Sequence, residues 1–574
     1  MFSPLSTTKA KEYCLKLQAD FDKYGVDAVV YGETEASEID GSTPLNNTSG
    51  NLPQSSKYTS VYAKKPERPD GQMFGVLVCT DCNGNEVVLK AFSGQFRSVW
   101  NIPGWAPPLL SENEFARLTE KTDEEIHKLT EQIEKLEEHV NASNKKMTTD
   151  GVFSTQNISS TQKINSEQEP SDITKELCTL KEKRRTVSKK SMHDIFALYK
   201  IPVLAKLETA ETFTWVHPRN GKTYPRYKLR PTIEYRDIFS FYCGSGTDNR
   251  TSNAKMPPTG AGECCAPKLI AQAYSLGLRP ISLAEFYYGE NPLSGEKQHK
   301  QFYEPCDEKC APLLPEMLGL KIIYQDEALV VVEKPSGLLS VTGRGTEKQD
   351  CIVNRVKFLF GGKIGWCDTC EHESEQDYTE HISESSKTIQ LPRQYPHCIE
   401  QPAVHRLDME TSGIIAVALT KEAHSNLRRQ FEEGTVKKQY EAVLDGIPEC
   451  IKNGVTDGRL ELPFRLDVDN RPRQIYDEVY GKIGITEWKF LRYEKGGRVR
   501  ILFTPLTGRT HQLRLHSADP HGLGVPIVGD TLYGNGTDST PSNCHERLLL
   551  HARMLEFTHP TTGERMNFTS PAPF

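Results

Sequence analysis

The succession of strand and helix patterns after about residue 320 is the feature that most constrains how this chain can fold. An apolar run at Gly413–Thr420, directly after a Thr-Ser-Gly turn, is typical of a buried strand. The predicted elements around it are, in order, two strands within Lys321–Val341, a helix at Lys421–Glu433, and strands at Gln439–Leu444, Thr486–Glu494 and Gly497–Gly508. Alternation in the last two indicates half-buried strands. We therefore predict an α+β fold with a mainly antiparallel sheet for residues 316–574.

The region before residue 316 has a different pattern. The chain has 574 residues, which allows several domains at roughly 100–200 residues each. Two strand-like segments, Met73–Thr80 and Val87–Gly94, flank an Asn83-Gly84 step, which favours a hairpin turn. We therefore treat residues 1–315 as an N-terminal accessory region.

A helical hairpin is predicted at about residues 111–195. Apolar residues recur at spacings of three and four on a charged background, at Ile126, Leu129, Ile133, Leu136 and Val140. A Ser/Thr/Asn-rich stretch at about 141–170 would form the tip, and a similar apolar stripe follows it. Two interpretations stay open: an arm that grips a large substrate or a protein partner, and a solvated helix pair with a structural role.

Cysteine usage does not indicate a disulfide scaffold. Fifteen cysteines in a chain of this length are more typical of thiols or metal ligands. The segment at about 258–310 contains four weak zinc candidates, Cys264, Cys265, Cys306 and Cys310. Their spacing does not match a CxxC knuckle, so unligated thiols are favoured. We predict no metal and no cofactor, and we predict a polar surface insertion at about 357–397.

Charge and hydropathy limit the partners. The net charge is −7, so binding of nucleic acid would need a local basic groove. No window offers ~20 consecutive apolar residues, and the N-terminus has no apolar secretory core. We expect a cytoplasmic protein without membrane contact, with a nuclear or organellar location left open.

The segment "HRLDMETSG", residues 405–413, raises the main chemical question, because it places one carboxylate, Asp408, at the mouth of the predicted buried strand. No second acid stands at a spacing that indicates a glycosidase pair. A single ionised carboxylate can act as a covalent nucleophile, and an arginine beside it would keep it ionised. Arg514, expected on a strand, is a candidate for that arginine. The structural alternative is an Asp that caps a turn through Thr411 and Ser412.

Four segments together resemble one known family. They are "HRLDMETSG", "LTKEAHSNLRRQFEEGTVKKQYEAVLDG", "GRTHQLRLHSADPHGLGVPIVGDTLYG" and "LLLHARMLEFTHPTTGERMNFTSPAP", and they follow one another within about 316–574. This order and content resemble the RluA family of pseudouridine synthases. The segments "KPSGLLSVTGR" and "LPFRLDVDNRPRQ" resemble the subgroup that modifies both ribosomal and transfer RNA. The polar insertion departs from that pattern, and the N-terminal region matches no RNA-binding module.

The resemblance implies the fold, the chemistry and the roles of four residues. The fold would be a pseudouridine synthase fold with flanking helices and a central cleft, and no cofactor would be needed. Asp408 would be the catalytic aspartate and Arg514 the arginine paired with it. Tyr440 would pack on the target base and is a candidate for proton transfer at C5. The side chain of Arg406 would insert into the RNA base stack, in the space from which the uridine has been extruded.

Further residues near these motifs carry weaker expectations. Phosphate contacts are expected from Arg509, His511, Lys437 and Lys438, with a solvated surface role as the alternative for each. The whole chain is then expected to be an RNA-modifying isomerase. The alternative is a catalytically retired homologue that binds or remodels RNA.

Overall fold

The computed structural model describes residue 5 and residues 7–32, 71–81, 84–149, 172–216, 223–242, 256–292, 295–360, 402–534 and 547–574. The expected hairpin tip falls outside the described residues from position 150 to position 170. The expected polar insertion falls outside them from position 361 to position 397. Its first four positions belong to the packed fold instead, because Phe358, Leu359 and Phe360 are buried.

The secondary structure alternates between short helices and antiparallel strands. The helices are α1 (Thr8–Tyr24), α2 (Val26–Tyr31), α3 (Glu112–Thr149), α4 (Asp172–Ala197), α5 (Cys265–Ser275), α6 (Leu314–Leu318), α7 (Ile352–Leu359), α8 (Lys421–Glu432), α9 (Glu449–Lys452) and α10 (Gln512–Ala518). The strands are β1 (Gln72–Thr80), β2 (Glu86–Phe92), β3 (Lys200–Val216), β4 (Thr223–Asp237), β5 (Arg279–Tyr288), β6 (Phe302–Tyr303), β7 (Lys321–Gln325), β8 (Leu329–Lys334), β9 (Ser412–Ala418), β10 (Lys437–Leu444), β11 (Asp457–Leu466), β12 (Gln474–Tyr476), β13 (Lys482–Glu494), β14 (Arg498–Pro505), β15 (Leu550–Thr558) and β16 (Arg565–Thr569).

The N-terminal region contains a four-stranded antiparallel sheet in the order β2-β1-β5-β6. Helices α1 and α5 pack against it. Strands β3 and β4 form a separate two-stranded ribbon. Helices α3 and α4 run antiparallel, since Lys181 pairs with Glu137 at one level and Ser191 bonds Thr122 at another. Leu129 and Ile133 of the apolar stripe are buried against this partner helix.

The C-terminal region is built on a ten-stranded sheet in the order β12-β11-β13-β14-β10-β15-β9-β8-β7, with β16 paired to β15. Every neighbouring pair is antiparallel except β9 and β15, so the predicted α+β class with a mainly antiparallel sheet is confirmed. The parallel pair depends on Gly413, because a Cβ there would lie 2.3 Å from the backbone oxygen of Ala552. Gly413 also has a φ of +121°, which favours glycine.

A single hydrophobic cluster crosses the boundary expected near residue 315. It joins Leu269 of α5 and Met317 of α6 to Ile322 of β7 and Ile415 of β9. The accessory region and the large sheet therefore share buried apolar surface, which couples their stabilities. Within the described part of the chain, no helix is long and apolar enough to cross a membrane.

Candidate active site

Asp408 lies in a turn that leads into β9. The side chain of Lys334 fixes the backbone of this turn by a hydrogen bond. The Lys334 side chain is fully buried at the end of β8. Its Nζ donates to three backbone oxygens, those of Pro335 (2.9 Å), Leu338 (2.7 Å) and Met409 (2.7 Å). Burial lowers the pKa of Lys334 to about 7, while the charge of Asp408 acts to raise it. These hydrogen bonds connect the Lys-Pro-Ser-Gly turn at residues 334–337 to the turn that contains Asp408.

Ser340 fixes the residue before the aspartate. Its Oγ donates to the backbone oxygen of Leu407 at 2.6 Å and accepts from the Leu407 nitrogen at 3.0 Å. Both groups are buried, so these bonds are shielded from water. The backbone on each side of Asp408 is therefore well determined.

The Asp408 carboxylate is itself much less engaged than its backbone. Its side chain is 24% exposed, and the basic side chain found within 4.0 Å of it among the described residues is His511, whose Nε2 lies 4.0 Å from Oδ1. The turn closes through the backbone, where the Thr411 nitrogen donates to the Asp408 carbonyl oxygen at 3.1 Å. Ser412 Oγ contacts His551 Nδ1 at 2.9 Å instead. The alternative of a side-chain cap through Thr411 and Ser412 is therefore not what holds this turn.

Arg514 differs from expectation in two ways. It lies on helix α10 and not on a strand, and it does not form a direct ion pair with Asp408 among the described residues. Its guanidinium binds Asp530 through two bonds, Nε to Oδ2 at 2.8 Å and Nη2 to Oδ1 at 2.6 Å. Nη2 also lies 3.3 Å from Glu410 Oε2. A buried guanidinium needs a bidentate carboxylate close by, and Asp530 supplies it.

Asp530 is held in place by further donors. Its Oδ1 accepts from the backbone nitrogens of Leu532 (2.9 Å) and Tyr533 (3.0 Å). The ring of Tyr533 lies 5.5 Å from the Arg514 guanidinium carbon, within cation–π range. The charge of Asp408 still favours the cationic form of Arg514, so the two groups are electrostatic neighbours without direct contact.

His511 lies between Asp408 and the group formed by Arg514, Asp530 and Tyr533. It precedes α10 in a left-handed conformation with a φ of 54° and is nearly buried. Its Nδ1 contacts the Tyr533 hydroxyl at 3.2 Å while Nε2 faces Asp408. Burial lowers the pKa of His511, although the Asp408 charge acts in the opposite direction. The imidazole is therefore a neutral hydrogen-bonding group near neutral pH rather than a fixed cation.

Tyr440 projects from β10, where it pairs with Phe503 of β14 and Ala552 of β15. The ring is half-buried and packs between two hydrophobic clusters. Burial raises the pKa of Tyr440, and the nearby charge of Asp408 raises it further. The hydroxyl is therefore protonated at neutral pH.

The remaining basic candidates divide by location. Arg406 is exposed and donates from Nη2 to Thr510 Oγ1 at 2.9 Å, which places it beside the turn before α10. Arg509, also exposed in that turn, donates to the Ile483 carbonyl oxygen at 2.9 Å. Lys438 is half-buried, and burial lowers its pKa. Lys437 is paired with Glu556 at 3.4 Å.

The structure thus brings Asp408, His511, Arg514 and Tyr440 together, with Arg406 at the edge. Four residues of this site were missed from the sequence: Lys334, Glu410, Asp530 and Tyr533. All four stand inside segments that carry the family resemblance, so the segments held the signal. The contacts that bring them to the site, such as Lys334 to Met409 and Glu410 to Arg514, join residues far apart in sequence, so no spacing rule could match them. Among the cysteine candidates, Cys264, Cys306 and Cys310 meet and Cys265 does not join them.

Comparison with known proteins shows which family the chain resembles. The family model for RNA pseudouridylate synthase matches residues 328–519. The chain is 38% identical over 260 residues to the dual-specificity RNA pseudouridine synthase RluA of Escherichia coli strain K12, covering 45% of this chain and 96% of that protein. It is 40% identical over 255 residues to the protein of the same name from Haemophilus influenzae, covering 44% and 94%. Among solved structures, human RNA Pseudouridylate Synthase Domain Containing 1 is 25% identical, with a TM-score of 0.31, over 44% of this chain and 84% of that one.

The sheet and the matched segments define an RNA-modifying enzyme of the pseudouridine synthase class, which is a class of isomerases. Within that class, this chain belongs to the RluA family and carries a long N-terminal extension.

Proposed function

We propose that this protein isomerises specific uridines to pseudouridine in ribosomal RNA, transfer RNA or both, with Asp408 as the catalytic nucleophile. The observation that carries the proposal is the state of Asp408: a firmly held backbone bears a carboxylate that makes no hydrogen bond within the described chain. A positioned but unengaged carboxylate is ready to react with a substrate. The RluA relatives are dual-specificity RNA pseudouridine synthases, which supports RNA uridines as the targets and more than one RNA as the substrate.

The target uridine must leave the RNA stack before its glycosidic bond can be reached, at a cost of a few kcal/mol. The exposed guanidinium of Arg406 can fill the gap by stacking and by hydrogen bonding. The half-buried ring of Tyr440 can hold the extruded base, and stacking of this kind contributes ~1–3 kcal/mol. These contacts would offset the cost of extrusion.

The uracil base then detaches from C1′ at N1, rotates, and bonds to C1′ through C5, after which C5 gives its proton to solvent and N1 takes one up. Asp408 can attack C1′, assist elimination to a glycal, or add to C6 of the base, and all three routes begin from an ionised carboxylate. The guanidinium of Arg514 is an electrostatic neighbour of that carboxylate and does not occupy it. The raised pKa of Tyr440 favours a hydrogen-bond donor to the base over a resident phenolate that takes the C5 proton.

The helical hairpin of α3 and α4 is proposed as an additional contact surface. Seven basic side chains of α4 are exposed: Lys175, Lys181, Lys183, Arg184, Arg185, Lys189 and Lys190. A groove between the helices is lined by several of them and by Glu134 and Glu137. The excess of basic groups favours an anionic occupant such as the phosphates of the substrate RNA, and an acidic protein partner would meet the same requirement.

The test is transcriptome-wide mapping of pseudouridine in cells that lack this protein, rescued with wild type or with Asp408→Asn. We expect a defined set of sites to disappear and to return only with the wild type. Equal rescue by both forms, or no lost sites, would contradict the proposal and favour the alternative of an RNA-remodelling homologue.

A further inference from the structure

Three cysteine thiols meet in the N-terminal region, away from the residues of the candidate active site. Cys264 Sγ lies 3.9 Å from Cys306 Sγ, and Cys306 Sγ lies 3.6 Å from Cys310 Sγ. All three sulfur atoms fall within 4.8 Å of one another. In a tetrahedral zinc site with Zn–S bonds of ~2.3 Å, two sulfurs are about 3.8 Å apart. The two shorter distances match that geometry closely.

Two separate segments of chain form this cluster. Cys264 is the residue immediately before α5. Cys306 and Cys310 face it from one tight turn, in which the Cys310 and Ala311 nitrogens both donate to the Cys306 carbonyl oxygen at 3.1 Å. Cys310 is buried, Cys264 is partly buried and Cys306 is exposed. The cluster is therefore built into the fold and remains open on one side.

The neighbouring groups narrow the ligand set to these three. Cys265 is buried and its thiol faces the backbone oxygens of Met73 (3.6 Å) and Ala91 (3.7 Å). Glu285 accepts from the Ala266 nitrogen at 2.7 Å, so its carboxylate is occupied at the start of α5. In the described ranges, no fourth Cys, His, Asp or Glu joins the group. Among the described residues, the fourth tetrahedral position therefore has no protein donor.

We propose that Cys264, Cys306 and Cys310 bind one zinc ion as a structural site. The metal would join the start of α5, which packs on the N-terminal sheet, to the segment that leads into α6. Helix α6 in turn packs against β7 at the edge of the large sheet. The ion would therefore fasten the accessory region to the first strand of the catalytic region. This inference is independent of the proposed chemistry at Asp408.

The test starts with the metal content of the full-length protein, purified without chelators under reducing conditions and measured by inductively coupled plasma mass spectrometry. We expect about one zinc per chain. The double variant Cys306→Ser/Cys310→Ser should lose it, while Cys178→Ser, which changes an exposed cysteine on α4, should keep it. Wild type that neither contains zinc nor binds it on addition, or a double variant that keeps the metal, would overturn the proposal.

A second measurement uses the wild type alone, so it does not depend on the folding of a variant. Zinc replaced by Co²⁺ should give thiolate-to-metal charge-transfer absorption of the strength expected for three thiolates. The metal should be released when a mercurial reagent titrates those thiols. Absence of that absorption would overturn the site. Mass analysis showing two of the three cysteines joined in a disulfide, with no metal bound, would overturn it in favour of a redox pair.

Discussion

Two aspartates on the same side of the molecule are held in opposite ways. Asp530 is buried and accepts four hydrogen bonds, two from Arg514 and two from backbone nitrogens. Asp408 has a fixed backbone, but its partly exposed carboxylate makes no hydrogen bond within the described chain and lies 4.0 Å from His511. A saturated carboxylate stabilises a structure, whereas an unsaturated one keeps its lone pairs for a substrate. The contrast supports the proposed division between a residue that builds the site and a residue that reacts.

The largest effect on stability is expected from Asp530→Asn. This change removes the negative charge from a buried bidentate pair and leaves Glu410, at 3.3 Å, as the remaining direct carboxylate partner of Arg514, which costs up to about 3–5 kcal/mol. Urea unfolding of the variant should show a clearly lowered midpoint. Asp457→Asn, at an exposed position on β11, is the matched control and should change the unfolding free energy by less than about 0.5 kcal/mol. Equal urea midpoints for Asp530→Asn and Asp457→Asn would contradict the supporting role assigned to Asp530.

The variant Asp408→Glu tests whether the position of the carboxylate matters, because it moves the carboxylate and keeps its negative charge. The added methylene moves the carboxylate by about 1 Å or more, and misplacement of that size costs on the order of 10²-fold in rate. We expect single-turnover pseudouridine formation to fall at least that far, with unchanged thermal unfolding. A rate near that of wild type would show that Asp408 supplies only charge.

Arg406→Ala should have a smaller, substrate-dependent effect. The side chain is exposed, so the fold should not change, but the space left by the extruded uridine would stay unfilled. We expect a rate reduced by roughly 10-fold, about 1.4 kcal/mol, on folded RNA and less on an unstructured oligonucleotide. Arg492→Ala, another exposed arginine, serves as the control. The idea fails if both RNAs slow down equally.

His405→Gln addresses how the Asp408 turn depends on pH. His405 Nε2 accepts from the Ala416 nitrogen at 3.0 Å, and burial lowers the pKa of His405 to about 3. Below its unfolded pKa of ~6.5 the unfolded chain binds a proton that the folded chain does not, so this stability falls as pH drops from about 6.5 towards 3.

The contribution of His405 to the unfolding free energy changes by at most about 1.4 kcal/mol per pH unit. His405→Gln should flatten this part of the stability curve, because the amide oxygen accepts the same bond without titrating. Denaturant unfolding at several pH values measures it, with His127→Gln on exposed α3 as control. A curve as steep as that of wild type would assign the pH dependence to other groups.

The elements of the large sheet could be predicted from sequence because their apolar runs have a clear period and clear ends. The run beginning at Gly413 became β9, and the predicted helix at Lys421–Glu433 became α8. Helix α10 could not be predicted in this way. Residues Gln512–Ser517 are all buried, so the helix has no polar face, and the alternation of Leu513 and Leu515 with charged residues imitates a strand.

The candidate site was only partly predictable for a related reason. Asp408, Tyr440 and Arg406 were selected through the family resemblance, and their roles remain predictions. The prediction that Arg514 pairs directly with Asp408 was wrong. The observed partner is Asp530, which stands sixteen residues away in sequence, and no local pattern links the two. The cysteine cluster likewise joins Cys264 to Cys306 across 42 positions. Contacts of this range come from the packing of elements, which spacing in the sequence does not encode.

The most direct test of the central claim is single-turnover conversion of a mapped target uridine by Asp408→Asn and Asp530→Asn, measured beside urea unfolding of the same preparations. We expect Asp408→Asn to lose activity by about 10⁴-fold or more while its unfolding free energy stays within about 0.5 kcal/mol of wild type. Asp530→Asn should lose stability and keep measurable activity in the fraction that remains folded. Activity in Asp408→Asn, or its complete loss in folded Asp530→Asn, would contradict the division between a reacting aspartate and a supporting one.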